Sequence, residues 1–251
     1  RKVYMSKFRK AASDAIAAAE KDEDRAKPLI SDVRKVLEMD SAVLEAVAQE
    51  GRARIRKYST SLSRLDDWEA IMEELRLLLH HSDPKFIAIG LMGVTGRRFA
   101  EVLSAGKFTS VYRTLPSGGK MVQKYQVGFS GQLKTRAAEG SLYGQTYAIP
   151  VNADSRLVID AVERLRGSEE GREWANMDNR DLNSLVNRAL NRALQGRKEI
   201  NRYWPKTADK LTLKSLRSLY AEIAFHYHAP ESMTKSAFFA QILGHRADDY
   251  Q

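Results

Sequence analysis

The sequence predicts a mainly α-helical protein carrying one small antiparallel β-sheet. Three observations lead there. Apolar residues recur at helical spacing before residue 95 and again after Pro150. Between Lys107 and Tyr147 the pattern changes to β-prone runs around a Pro116-Ser117-Gly118-Gly119 turn. Finally, 43% hydrophobic against 29% charged residues over 251 positions affords a buried core and excludes wholesale disorder.

Taken in order, Tyr4, Phe8, Ala11, Ala12, Ala15 and Ile16 form a helical stripe. Val33, Val36, Leu37, Val43, Leu44 and Val47 continue it after Pro28. The polar run Ser59-Thr60-Ser61-Leu62-Ser63 has little to bury and reads as a linker. This divides the chain into an α-helical region 1–62 and a second domain 63–251. Asp66-Asp67 offers an N-cap to a helix bearing Trp68, Ile71, Met72, Leu75, Leu78 and Leu79, which ends before Asp83-Pro84. A helix from Phe86 to about Val94 follows. Phe108 to Arg113 and the alternating Met121, Tyr125, Val127 and Phe129 make a hairpin or small sheet. Leu157, Val158, Ala161, Val162 and Leu165 then share a helix face, as do Leu182, Leu185, Val186, Ala189, Leu190 and Ala193. Leu213 to Leu243 is helical except at Ala229-Pro230.

The charge of +9 is unevenly placed. Residues 1–80 hold 16 cations and 15 anions, residues 81–215 hold 22 and 13, and residues 216–251 hold 3 and 4. Lys107, Arg113, Lys120, Lys124, Lys134 and Arg136 fall between Glu101 and Glu139 with no acid among them, interleaved with Tyr112 and Tyr125. A polyanion is the natural partner, the alternative being a solvated lysine face. With no cysteine, disulfides, thiolate metal sites and thiol nucleophiles are excluded, which suits a reducing compartment. No segment is apolar enough to cross a membrane. The start, Arg1-Lys2-Val3-Tyr4, reads as an excised or processed fragment.

Several short motifs fail on spacing. Gly128-Phe129-Ser130-Gly131 is not a nucleophile elbow, because its glycine falls one place early. Gly118-Gly119-Lys120 lacks phosphate-loop spacing and the Ser or Thr that should follow. His226 and His228 have no cysteine or acidic cluster to complete a metal tetrahedron. His80-His81 at a helix end reads as capping of the helix dipole. No metal and no cofactor is expected.

Three separated runs do carry a pattern: Thr95-Gly96-Arg97-Arg98-Phe99-Ala100-Glu101-Val102-Leu103, Lys214-Ser215-Leu216-Arg217, and Leu243-Gly244-His245. They resemble, in order, the arginine box, the H-x-x-R box and the L-G-H box of tyrosine recombinases. In detail Val94 to Arg98, Gly106-Lys107-Phe108, Val127 to Lys134, Arg217 to Ala224 and Phe238 to His245 resemble the protelomerases, or hairpin telomere resolvases. Lys214 stands where ordinary recombinases carry histidine, a substitution also associated with protelomerases.

The resemblance implies a tyrosine-recombinase-like catalytic domain preceded by an α-helical DNA-clamping region. It also implies Arg98, Lys134, Arg217, His245 and Lys214 as catalytic residues. The chemistry agrees with those types. Two arginines remote in sequence can grip both non-bridging oxygens of one phosphodiester. A lysine on a hairpin can protonate the leaving 5′ oxygen. His245, read as following a Leu-Gly helix start, can hydrogen-bond the phosphate or the nucleophile. Taken alone, Arg98 is equally an ion-pair partner for Glu101 one turn on. Lys107, Arg113, Lys120, Lys124 and Arg136 are the expected DNA contacts.

The implied reaction is DNA cleavage and rejoining at a palindrome by a homodimer, forming closed hairpin telomeres. It requires neither small-molecule cofactor nor membrane, and takes place in the cytoplasm at the nucleoid of a bacterial or phage-bearing cell. The family's nucleophilic tyrosine follows the L-G-H histidine by about nine residues, so it is expected just beyond Gln251. Tyr250, five places after His245, is not assigned that role. Two other readings are a conventional integrase, disfavoured by Lys214 and the 127–134 run, and a non-catalytic DNA-binding protein of the same fold. An RNA-binding protein, suggested by tyrosines among cations, has no recognised signature behind it.

Overall fold

A computed structural model describes residues 2–20, 22–36, 45, 49, 67–133, 145–204 and 210–244. The chain divides into two compact units, Arg1–Lys57 and Tyr58–Gln251. In the first, α1 (Lys2–Ala19) and α2 (Glu23–Val36) are helical. The second helix begins before Pro28 rather than after it, as the hydrophobic stripe suggested. Proline there removes only its own N–H, leaving the Asp24 carbonyl without that partner while the helix continues. Ala26 is buried, whereas Phe8 is 67% and Leu29 49% exposed. Val43, Leu44 and Val47 lie outside the described residues.

The second unit is built around two helices. In α3 (Trp68–Leu78), Ile71, Met72, Leu75 and Leu78 are buried. Asp67 precedes it, yet its side chain makes no capping hydrogen bond, a departure from the expected N-cap. In α4 (Pro84–Thr95) every residue from Ile87 to Thr95 is buried, so this helix is central to the core. Asp83 caps it by accepting from the Lys85 N–H, with Pro84 preorganised in its first turn. His81 does not cap a helix dipole: its Nδ1 accepts the Asp83 N–H at 2.9 Å and its ring packs on Phe86.

A π turn over Glu101–Ala105 leads into the sheet of β1 (Lys107–Thr114), β2 (Lys120–Ser130) and β3 (Tyr147–Pro150), antiparallel in the order β1-β2-β3. Phe108 pairs with Phe129 and Gly128 with Ala148, with a bulge between Ser110 and Tyr112. The expected alternation fails in the outer half of β2. Val127 and Phe129 are buried, but Met121 and Tyr125 are 47% and 45% exposed. The reason is coverage, since β3 pairs only with Gln126–Phe129.

Helices then return as α5 (Ser155–Gly167), α6 (Glu169–Asn176), α7 (Asn179–Asp181), a π turn over Leu182–Val186, α8 (Asn187–Gly196), α9 (Lys198–Asn201), α10 (Leu213–His228) and α11 (Lys235–Leu243). The buried stripe of the middle segment is Leu182, Val186, Leu190 and Leu194, whereas Leu185 is 59% exposed. The π turn carries an extra residue per turn, so the stripe steps by four and Leu185 turns outward. A small second cluster of Tyr220, Ala221, Ala224, Phe238, Ile242 and Leu243 seats α11 on α10. Among the described residues no helix is long and apolar enough to cross a membrane.

Candidate active site

The site begins where α4 ends. Thr95 closes the helix by donating its hydroxyl to the Leu91 carbonyl at 2.6 Å, and Gly96 reverses the chain at φ +63°. A side chain at Gly96 would put its Cβ 2.1 Å from the Tyr220 ring. This reversal separates two adjacent arginines into different environments.

Arg97 is fully buried. Its Nε donates to the Thr95 carbonyl at 3.2 Å, Nη1 to the Tyr147 hydroxyl at 3.2 Å and Nη2 to the Ile242 carbonyl, and its guanidinium lies 4.8 Å over the Phe129 ring. Arg98 stays partly exposed. Its Nη1 donates to the Glu101 carboxylate at 2.7 Å and to the Leu133 carbonyl at 2.8 Å. An arginine has five N–H donors, so these two bonds leave capacity for an incoming anion.

Glu101 is fully buried on the π turn, and it also accepts the N–H groups of Arg98 at 2.9 Å and Leu133 at 3.0 Å. Burial alone would raise its pKa. The Arg98 N–H together with the Arg97, Arg217 and Arg98 guanidinium groups outweighs burial and holds the carboxyl below its ordinary value. Three guanidinium groups therefore surround one carboxylate, a local excess of positive charge suited to an anion.

The far boxes reach the same place. Arg217 on α10 donates through Nη1 to the Gly96 carbonyl at 2.5 Å and through Nη2 to the Leu243 carbonyl at 2.7 Å. The first turn of α10 is fixed by a reciprocal capping box between Thr212 and Ser215, with Lys214 exposed beside them. Gln132 donates Nε2 to the carbonyls of Leu243 at 3.1 Å and Gly244 at 2.7 Å, and its Oε1 accepts the Tyr147 hydroxyl. Gly244, at φ +63°, ends α11. Leu243 and Gly244 thus lie at a helix C-terminus, not at the helix start expected from the sequence. Phe238, Ile242 and Leu243, packed on Tyr220 and Ala221, supply the apolar stripe of the preceding helix.

Arg98 and Arg217 are thereby brought together around the Gly96 turn, and Lys214 sits one turn before Arg217. Lys134 and His245 lie outside the described residues. Their chain neighbours do not: Leu133 is tied to Arg98 and Glu101, and Gly244 to Gln132. Lys107, Arg113, Lys120 and Lys124 are exposed along β1 and β2, while Arg136 and Tyr250 are outside the described residues. Sequence reasoning missed Arg97, Gln132, Tyr147 and Tyr220 as parts of the site. Arg97 stands within its box, but the T-G-x-R spacing of that box points to its neighbour Arg98. No sequence signal marks Gln132. Tyr220 is fully buried with its hydroxyl donating to the Pro150 carbonyl at 2.7 Å, and burial raises its pKa far above the ordinary value.

Residues 61–251 match the family model described as Telomere resolvase ResT/TelK catalytic domain. A curated protein similar to this chain is "Protelomerase" of Escherichia phage N15, 26% identical over 180 residues. That match covers 66% of this chain and 25% of the relative, so the chain spans about a quarter of the relative's length. Among solved structures, selenomethionine protelomerase tela covalently complexed with substrate DNA is 31% identical with a TM-score of 0.78, covering 99% of this chain and 72% of that one. An arginine-to-alanine mutant of protelomerase tela complexed with DNA hairpin product is 28% identical with a TM-score of 0.73, covering 98% and 80%. Protelomerase TelK complexed with substrate DNA, 18% identical with a TM-score of 0.52 over 98% and 52%, shares the fold.

Proposed function

The chain belongs to the telomere resolvase, or protelomerase, family, and from that premise we propose that it breaks and rejoins duplex DNA to leave covalently closed hairpin ends. The observation that carries this is the meeting of Arg98 and Arg217 around Gly96, inside an excess of positive charge.

A tyrosine hydroxyl oxygen attacks the scissile phosphorus, and the bond to the 5′ oxygen breaks. Arg98 and Arg217 bind the non-bridging oxygens as charge accumulates in the pentacoordinate transition state. Glu101 orients Arg98 through its short ion pair. Lys134 gives a proton to the departing 5′ oxygen. His245 hydrogen-bonds the phosphate, and Lys214 takes the place occupied by histidine in ordinary recombinases. The product is a 3′-phosphotyrosine and a 5′ hydroxyl. That hydroxyl attacks the phosphotyrosine of the opposite strand on its own side of the break, displaces the tyrosine and restores a phosphodiester. The phosphotyrosine retains the bond energy, so ATP is not consumed. Tyr220 is unsuited to the attack, being buried and bonded to Pro150.

Two protomers act on a palindrome, whose twofold symmetry mirrors that of a dimer. Residues 1–62 form the DNA-clamping region and 63–251 the catalytic domain. Lys107, Arg113, Lys120, Lys124 and Arg136 contact DNA phosphates. The reaction belongs to the cytoplasm, at the nucleoid.

The test incubates the protein, carried past Gln251 far enough to include the expected nucleophilic tyrosine, with plasmids bearing candidate palindromes and runs the products on a denaturing gel. Ends that snap back after heating support hairpin formation. Exchanged duplexes would instead point to a conventional integrase, and binding without any covalent product to a non-catalytic DNA-binding protein.

A further inference from the structure

Ile242 and Leu243 are buried at the C-terminus of α11, where the last four carbonyls of a helix need partners from outside it. The Gly244 N–H serves those of Ala240 and Gln241. Arg97 donates to Ile242, Arg217 and Gln132 both donate to Leu243, and Gln132 donates again to Gly244. Arg97 and Arg217 belong to the two arginine-bearing boxes. Gln132 belongs to neither, and stands two residues before Lys134.

Its buried amide is held in one orientation. Because Nε2 faces two carbonyls, Oε1 is turned to Tyr147, which commits its one O–H to it while the hydroxyl oxygen accepts from Arg97. Burial raises the Tyr147 pKa, so the hydroxyl keeps that proton. Gly244 completes the fit, since a Cβ there would lie 2.0 Å from the Gln132 Oε1.

The backbone on either side of Gln132 is fixed as well. Gly131, at φ +82°, lies against the Ala105 carbonyl. Leu133 donates its N–H to Glu101 at 3.0 Å, and its carbonyl accepts from Arg98 at 2.8 Å. Gln132 and Leu133, adjacent in the chain, therefore join the Arg98–Glu101 pair to the end of the helix that precedes His245. An amide buried and satisfied at both ends specifies one arrangement where an apolar side chain would allow several.

We infer that Gln132, oriented by Tyr147, is a positioning residue that sets the chain entering Lys134 and the chain entering His245 in one register, so that both side chains meet the same phosphate. The inference rests on the DNA-rejoining function proposed above.

Two variants test it, in a chain that extends past Gln251 to the expected nucleophilic tyrosine. Gln132→Met keeps the length of the side chain and removes the amide. Tyr147→Phe keeps the ring and Gln132, and removes only the hydroxyl that orients the amide. Each is compared with Lys134→Ala on a palindromic duplex and on the same duplex with sulfur in place of the 5′ bridging oxygen. Gln132→Met should cleave up to about 100-fold more slowly at saturating protein with half-saturation unchanged, because a misplacement of about 1 Å suffices for such a loss. Tyr147→Phe should change in the same direction by a smaller factor. The sulfur substrate, whose leaving group needs no proton, should rescue Lys134→Ala fully and Gln132→Met only in part, because the His245 side remains displaced. Full rescue of Gln132→Met would confine its effect to Lys134 and overturn the shared register. Absence of rescue would confine it to the His245 side and overturn the register equally, as would unchanged cleavage by both variants. A loss of binding that matches the loss of cleavage would make the amide a folding residue and overturn it too. If Gln132→Met does not fold, the partial rescue is read from Tyr147→Phe. All these outcomes leave the rejoining reading standing, whereas an unsubstituted chain that binds the duplex and never cleaves it would remove that reading and this inference with it.

Discussion

The two ends of the β1–β2 ribbon use the same strands for opposite purposes. At the inner end Val127 and Phe129 are buried, β3 covers the edge, and the chain then passes through Gly131, Gln132 and Leu133, each packed against or bonded to the Glu101–Ala105 turn or the end of α11. At the outer end Tyr112, Met121 and Tyr125 are exposed beside Arg113, Lys120 and Lys124. Burial and main-chain hydrogen bonds give positional precision at the first end. Solvated charge gives attraction without fixed geometry at the second. Substitutions should therefore act on chemistry and stability at the inner end, and on affinity at the outer end.

The largest expected effect tests the residue just past the inner end. In a chain that extends past Gln251 to the expected nucleophilic tyrosine, Lys134→Ala should reduce DNA cleavage at saturating protein by about 100- to 10,000-fold with little change in binding. A substrate with sulfur in place of the 5′ bridging oxygen should restore cleavage, since a thiolate leaves without protonation. Absence of rescue would reassign Lys134 to positioning, and a matching loss of binding would place it with the outer-end lysines.

Glu101→Gln comes next. Leaving three guanidinium groups without their buried carboxylate should cost about 3 kcal/mol, read from denaturant unfolding at neutral pH. The folded pKa of Glu101 lies below its unfolded value, so its stabilisation is complete above about pH 4.5 and is lost as pH falls through the lower folded value. The Gln variant should lack that contribution to the acid slope. An unchanged slope would mean that the three arginines do not hold the carboxylate.

Gly131→Ala probes backbone alone. The residue sits at φ +82°, and a Cβ there would lie 2.0 Å from the Ala105 carbonyl oxygen. Strain and overpacking together should cost about 2–3 kcal/mol and lower the unfolding temperature, whereas alanine at Gly118, where nothing lies within 4 Å, should meet only the φ penalty.

The smallest stability effect belongs to the outer end. Lys120→Gln and Lys124→Gln should each shift unfolding by no more than about 0.5 kcal/mol. If each touches a phosphate, each should make the log-log salt dependence of duplex binding shallower by about 0.9 without altering site preference. A large loss of stability from either would dissolve the contrast between the two ends.

Much of this organisation was legible in the chain because it is local. Helical spacing marked Ile71, Met72, Leu75 and Leu78 as a core stripe, and Pro116 to Gly119 marked a turn, since periodicity and turn chemistry act over a few residues. The arginine box likewise announced a special residue. Burial did not follow from any of these signals. Arg97 and Arg98 are adjacent and chemically identical, yet just after the Gly96 turn one is fully buried and the other partly exposed. Met121 and Val127 share a strand and differ in exposure because β3 stops at Gln126. Leu185 fits a helical stripe on paper but points outward once the π turn adds its extra residue. The sequence by itself determined which segments would be helices or strands and which residue types could bind a phosphate. The tertiary structure alone decided that Gly96, Gln132, Arg217 and Leu243 would be neighbours. Gln132 to Leu243 and Arg217 to Gly96 each join residues more than a hundred positions apart, and such contacts form only when the whole unit closes around α4.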